Sequence, residues 1–200
     1  AATGVLTFNP APDYENPTDA GANNTYEVIV TVSDGVLSDS LANTVTVTDV
    51  NEAPFITSDG GGDTAAISVP ENSTFVTDVN ATDADGDALT YSITGGPDQA
   101  KFSMNAATGV LAFNPAPDYE NPTDFGTNNT YEVIVTVNDA PVEILMSLGN
   151  TAQEIDAAIA AALTDSQSIT VTVTDVVEGP TDITLSNASV EENKPAGTTV

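Results

Sequence analysis

An all-β chain, folded as Greek-key β-sandwiches in tandem, is predicted by three features of the sequence. Apolar residues recur at every second position in short runs. Clusters of Pro, Gly, Asn and Asp separate those runs, and long blocks of sequence occur twice.

A period of two is that of a strand with one face buried. Tyr131, Val133, Val135 and Val137 alternate with Glu132, Ile134 and Thr136. Val171 and Val173 alternate with Thr170, Thr172 and Thr174, and Leu89, Tyr91 and Ile93 with Thr90 and Ser92. Short runs of this kind, divided by turn-forming residues, are those of antiparallel strands packed as two sheets. The Val, Ile, Tyr and Phe of these runs are assigned to the core.

The repeat sets the organisation. Ala1–Asp34 returns as Ala106–Asp139 at a constant offset of 105 residues, with AATGVLTFNPAPDYENPTD becoming AATGVLAFNPAPDYENPTD. Thr44–Pro54 returns as Thr170–Pro180 at an offset of 126, so the second copy carries 21 extra residues between Asp139 and Thr170. Ile67–Asn72 corresponds to Ala188–Asn193. A unit of this size is a domain, and the parse is a string of domains. Residues 1–50 are read as the C-terminal half of one repeat, 51–177 as a complete repeat with an insertion about 140–168, and 178–200 as the start of a third. On this parse the chain begins inside a repeat.

One segment departs from the strand pattern. Thr151-Ala-Gln-Glu154 reads as a capping box ahead of IDAAIAAAL. Ile155, Ile159 and Leu163 fall on one helical stripe, which predicts a helix of about three turns near 152–163. So short a stripe is expected to pack on its own domain; the other reading is an added contact surface.

Composition narrows the partners. The chain has 30 Asp plus Glu against 2 Lys plus Arg, no His, and a formal charge of -28. Nucleic acid and anionic membrane surfaces need cations that this chain lacks. Self-repulsion at such a charge opposes a compact state. With 40% hydrophobic residues in alternating runs the chain is not of the disordered type, which leaves metal ions or ambient salt as counter-charge. There is no Cys for a disulfide or a thiolate site. No stretch approaches the ~20 apolar residues of a membrane span.

The acidic residues gather near expected strand ends, in Asp13-Tyr14-Glu15, Asp49-Val50-Asn51-Glu52, Glu71-Asn72, Asp83-Ala84-Asp85-Gly86-Asp87, Asp118-Tyr119-Glu120, Asn138-Asp139, Asp175-Val176-Val177-Glu178 and Glu192-Asn193. Calcium takes about six to eight oxygen ligands from carboxylates, amides and carbonyls. Asp-x-Asp on extended backbone puts two carboxylates on one side, as a shared cation requires. The Asp83 loop begins like a helix–loop–helix calcium loop. It departs from that pattern, because its glycine stands at the fourth position and Thr94 occupies the twelfth. One such motif alone is an acidic turn; the repeated set, nearly without cationic side chains, points to calcium.

Taken in order, these motifs resemble the cadherin domain in its bacterial, tandem-repeat form, an immunoglobulin-like sandwich. Glu71 of Val-Pro-Glu-Asn is similar to the family's glutamate near the end of its first strand, and Asp83 and Asp85 to its Asp-x-Asp loop. Thr108-Gly-Val-Leu111 resembles its hairpin, Asp118-Tyr-Glu120 its ligand pair, and Asp139 its lone aspartate, with Val137 where Ala is usual. Asp49-Val-Asn51-Glu52 resembles its linker, with Glu in place of the second Asp. The resemblance implies calcium between successive domains. The first junction would use Asp13, Glu15, Asp49, Asn51, Glu52, Asp83, Asp85 and Asp139. The second would use Glu71, Asp118, Glu120, Asp175 and Glu178, and Val177 in place of the linker asparagine predicts weaker or fewer ions there. The same layout places the inserted segment at the Asp83 end, where its helix would brace or crowd the first junction.

The function implied is that of a calcium-stiffened adhesive or spacer module of a large secreted or cell-surface protein, homophilic adhesion included. Its partners would be calcium ions and like repeats, other surface proteins or glycans. The alternative is a carbohydrate-binding module attached to an extracellular enzyme. It would call for a row of exposed aromatics from a chain with 5 Tyr, 6 Phe and no Trp. Paired carboxylates can hydrolyse glycosides, but here they stand beside further carboxylates at domain ends, without a nucleophile system; the reading is not an enzyme.

Overall fold

The computed structural model describes residues 4–139 and 163–179. Among these residues every regular element is a strand or a single 3-10 turn, and the fold is the all-β sandwich expected. The expected helix lies outside the described residues except for Leu163, which is not helical.

Strands β1 (Thr25–Ser33) and β2 (Ser38–Thr46) form an antiparallel hairpin. Nine further strands follow: β3 (Phe55–Ile56), β4 (Thr64–Pro70), β5 (Phe75–Asp78), β6 (Ala81–Thr82), β7 (Thr90–Gly95), β8 (Phe102–Met104), β9 (Val110–Phe113), β10 (Thr130–Asn138) and β11 (Thr164–Thr174). One sheet has the order β4-β11-β10-β7, with β4 parallel to β11; the other has the order β5-β9-β8, and β3 pairs with β6.

Alternation decides which side chains meet. Tyr131, Val133, Val135 and Val137 of β10 and Ile169, Val171 and Val173 of β11 are all at or below 1% exposure. Phe102, Leu111 and Phe113 come to the same core from the other sheet, with the Phe113 ring edge-on to Tyr131 at 5.1 Å between centroids. Each such side chain contributes about 1.5–3 kcal/mol on full burial. The Thr108-Gly-Val-Leu111 turn joins β8 to β9. Asn105 Oδ1 accepts the N–H groups of Ala107 and Thr108, and Gly109 has φ 74° with its backbone pressed on the Val79 carbonyl, where any Cβ would collide.

The connections after β1 and after β10 close in one way. Asp34 N–H donates to Leu37 O at 3.2 Å and Leu37 N–H to Asp34 Oδ1 at 2.8 Å. Asp139 N–H donates to Leu163 O at 3.3 Å and Leu163 N–H to Asp139 Oδ1 at 2.8 Å. The first pair spans a tight turn, the second the whole 140–162 segment.

Candidate metal centre

The carboxylates named from the sequence gather in two places. Oxygens of Glu15, Asp49, Glu52 and Asp85 all lie within 4.8 Å of one another. Oxygens of Glu71, Asp118 and Glu120 do the same elsewhere.

The first group is assembled by three chain segments. The Asp13-Tyr14-Glu15 loop is shaped by Asp13 Oδ1, which accepts the Asn16 N–H at 2.9 Å. The stretch after β2 brings Asp49, Asn51 and Glu52, and it is tied down twice. Glu52 N–H donates to Asp85 Oδ2 at 2.9 Å, and Asn51 Nδ2 donates to Asp139 Oδ2 at 2.7 Å. The loop after β6 brings Asp83 and Asp85. Asp83 Oδ1 accepts the Asp87 N–H at 3.2 Å, whereas Asp83 Oδ2 and Asp85 Oδ1 are buried with no hydrogen-bond partner among the described residues. Asp139 is 3% exposed and its two oxygens take Leu163 N–H and Asn51 Nδ2.

Crowding raises several pKa values here. Lost solvation and then the charges of Glu15, Asp85 and Asp49 hold Glu52 above the usual carboxylate range. Glu15 rises as well: its own backbone N–H pulls it down, but lost solvation and the Asp49 and Asp85 charges outweigh that pull. Asp87, left outside the predicted ligand set, is raised by lost solvation and by Asp83, Asp85, Asp139 and Asp49. Its place in Asp83-Ala-Asp85-Gly-Asp87 was the available signal.

In the second group Glu71 is 4% exposed, and its oxygens accept the N–H groups of Tyr119 and Val176, both at 2.8 Å. Those two donors lower its pKa. Glu120 is raised by lost solvation and by Glu71, Asp175 and Glu178, which outweigh the pull of its own backbone N–H. Asp175 and Glu178 therefore stand near the group without joining its tight triple, and Glu178 Oε1 accepts Asn72 Nδ2 at 2.7 Å.

All the donors are oxygens, the set preferred by a hard divalent cation. Two buried carboxylate oxygens without a donor are costly unless a cation faces them. The first group thus fits calcium on its own chemistry.

Comparison with known proteins bears on the family of the chain. The model of the cadherin domain matches residues 65–175. Over 93 residues the chain is 34% identical to halomucin of Haloquadratum walsbyi (strain DSM 16790 / HBSQ001), a match covering 44% of this chain and 1% of halomucin. Over 101 residues it is 37% identical to cadherin-23 of Rattus norvegicus, covering 48% of this chain and 3% of that protein. The chain thus spans a small part of these curated relatives. The crystal structure of mouse cadherin-23 EC22-24 superposes with a TM-score of 0.49 at 20% identity, over 80% of this chain and 45% of that one. Among the described residues no helix is long and apolar enough to cross a membrane. Cadherin domains are typically extracellular, non-enzymatic adhesion modules that generally bind calcium. With the model matched over more than half of its length, the chain belongs to the cadherin domain family.

Proposed function

We propose that this chain is a calcium-binding module of a larger extracellular or cell-surface repeat protein, acting in adhesion or as a stiffened spacer, and that it catalyses no reaction. The observation that carries the reading is the meeting of Glu15, Asp49, Glu52 and Asp85 from three segments, beside two buried carboxylate oxygens without donors among the described residues. In this reading residues 1–50 end one repeat, 51–177 form the next and 178–200 open a third.

Calcium supplies the positive charge that lets these carboxylates share one small volume. The chain's own residues prepare the rest. Glu52 N–H and Asn51 Nδ2 fasten the linker to Asp85 and Asp139 across the junction. Asp83 and Asp85 each present one buried oxygen, Oδ2 and Oδ1 respectively, that takes no hydrogen bond among the described residues. Asp13 and Asp87 add negative charge at the rim, felt at Glu52 and shared with Asp83 respectively. At the second site Glu71, Asp118, Glu120, Asp175 and Glu178 play the upstream part. Val177, 95% exposed where the first linker has Asn51, withholds one oxygen. Like repeats are the favoured partners, with other surface proteins and glycans behind them.

Calorimetric titration with calcium, paired with small-angle scattering in calcium and in chelator, tests the reading. Binding heat, a higher melting temperature and a longer particle in calcium are expected. Absence of heat and unchanged dimensions would reject it.

A further inference from the structure

Asn24 and Asn129 hold equivalent places in the repeat, and each joins the two segments that carry the candidate ligands. Asn24 Nδ2 donates to the Tyr14 carbonyl at 2.8 Å, between Asp13 and Glu15. Its own carbonyl accepts the Val47 N–H at 2.9 Å, two residues before Asp49. Asn129 repeats the pattern. Its Nδ2 donates to the Tyr119 carbonyl at 2.9 Å, between Asp118 and Glu120, and its carbonyl accepts the Val173 N–H at 2.9 Å, two residues before Asp175.

Both residues adopt left-handed backbone, φ 61° for Asn24 and 62° for Asn129. An aspartate five residues upstream sets that bend. Asp19 accepts the N–H groups of Gly21, Asn23 and Asn24, and Asp124 those of Gly126, Asn128 and Asn129. Left-handed backbone restricts the position mainly to Gly or Asn, and only Asn also has an amide to give. In both residues Oδ1 is buried with no donor among the described residues, and the side-chain bond seen is the one given by Nδ2. The geometry persists around Asn24 although the strands beside it are far more exposed than those beside Asn129. The device is therefore local and not a by-product of core packing.

We infer that Asn24 and Asn129 are positioning residues for calcium: each staples an Asp-Tyr-Glu loop to the strand leading into the linker, and so sets the spacing between Glu15 and Asp49, or between Glu120 and Asp175. The inference rests on the calcium reading above. It goes further by assigning a role to two residues that are not ligands.

The variant Asn24→Gly keeps the backbone bend and the Asp19 hydrogen bonds and removes only the amide. One backbone-directed hydrogen bond corresponds to roughly a fivefold to tenfold loss of calcium affinity at the first site, measured by titration calorimetry on the whole chain. Terbium(III) serves as a spectroscopic probe. Its luminescence lifetimes in H2O and D2O should report more water on the bound ion in the variant. Melting in chelator should stay within about 2 °C of the parent, because the main core lies elsewhere. Asn24→Asp, which keeps left-handed backbone but loses the donor, should behave as Asn24→Gly does. If the parent chain binds no calcium, the reading beneath the inference fails. If the parent binds and Asn24→Gly matches it in affinity and ion hydration, the staple alone is refuted. A fall of melting temperature in chelator equal to that in calcium would also refute it, by showing a purely structural role.

Discussion

Residues 1–34 and 106–139 are nearly the same sequence in two different settings. Leu111 is 0% exposed and its counterpart Leu6 56%; Val137 is 0% exposed and Val32 70%. Yet both copies form the same long strand, the same aspartate-centred loop and the same Asn bridge. Turns, caps and hairpin pairing are written locally and need no neighbours. Burial is not local: the second copy's apolar face is covered by β4, β5 and β8, strands drawn from residues 64–104, and the first copy has no such cover among the described residues.

The sharpest way to break this contrast is to supply the cover. Fusing a second copy of residues 52–105 ahead of Ala1 would make Asn105 precede Ala1 as it precedes Ala106. Burying Leu6, Val30 and Val32 at about 1.5–3 kcal/mol each should create a second cooperative transition in calorimetry and abolish binding of a hydrophobic dye. A single transition with unchanged dye binding would show that the exposure of the first copy's apolar face has another cause.

A smaller effect separates matched substitutions in the chain as it stands. Leu111→Ala should cost about 3 kcal/mol in denaturant unfolding, whereas Leu6→Ala should stay within about 0.5 kcal/mol. Similar losses at both positions would mean that the first copy finds a core by another route.

The smallest effect is electrostatic. Asp34, lowered by the N–H groups of Leu37 and Val36, and Glu71, lowered by those of Tyr119 and Val176, stabilise the fold when ionised. That contribution is lost as pH falls through the acid range. Glu52 and Asp87 are raised, chiefly by lost solvation and then by neighbouring carboxylates, so they hold more protons folded than unfolded. Their presence lowers stability as pH rises past the ordinary carboxylate range. In chelator the melting temperature should therefore peak near pH 4–5, roughly at the unperturbed carboxylate values, and fall on both sides. Calcium should remove the decline on the neutral side. A melting temperature that climbs steadily to pH 7 in chelator would contradict this.

Much of the fold was legible because alternation in β10 and β11 fixes which face is buried: Thr and Ser fill the other face of β11, while that of β10 carries Glu132, Ile134 and Thr136. The convergence of Glu15, Asp49, Glu52 and Asp85 was legible only through the order of motifs, since no local rule brings residues so distant in sequence together. The parallel pairing of β4 with β11 and the two-residue strands β3 and β6 were not legible, because they depend on tertiary closure. The Asp-x-Asp pattern stops at Asp85 and so leaves out Asp87, whose coupling to Asp139 and Asp49 arises only in the fold. Asn24 and Asn129 carry no sequence signal of their role, because the carbonyls they hold are ten residues upstream, where no periodicity points.

The clasp between an aspartate N–H and carboxylate and a leucine backbone bounds a short turn at Asp34–Leu37 and a far longer excursion at Asp139–Leu163. Above it the register of β10 and β11 runs undisturbed to Asn138 opposite Thr164. Closing a longer loop costs only about 0.6 kcal/mol for each doubling of its length. The sandwich is thus insulated from whatever polypeptide leaves and re-enters through that doorway. Exchanging residues 140–162 for a short turn should therefore leave Asn138 paired with Thr164.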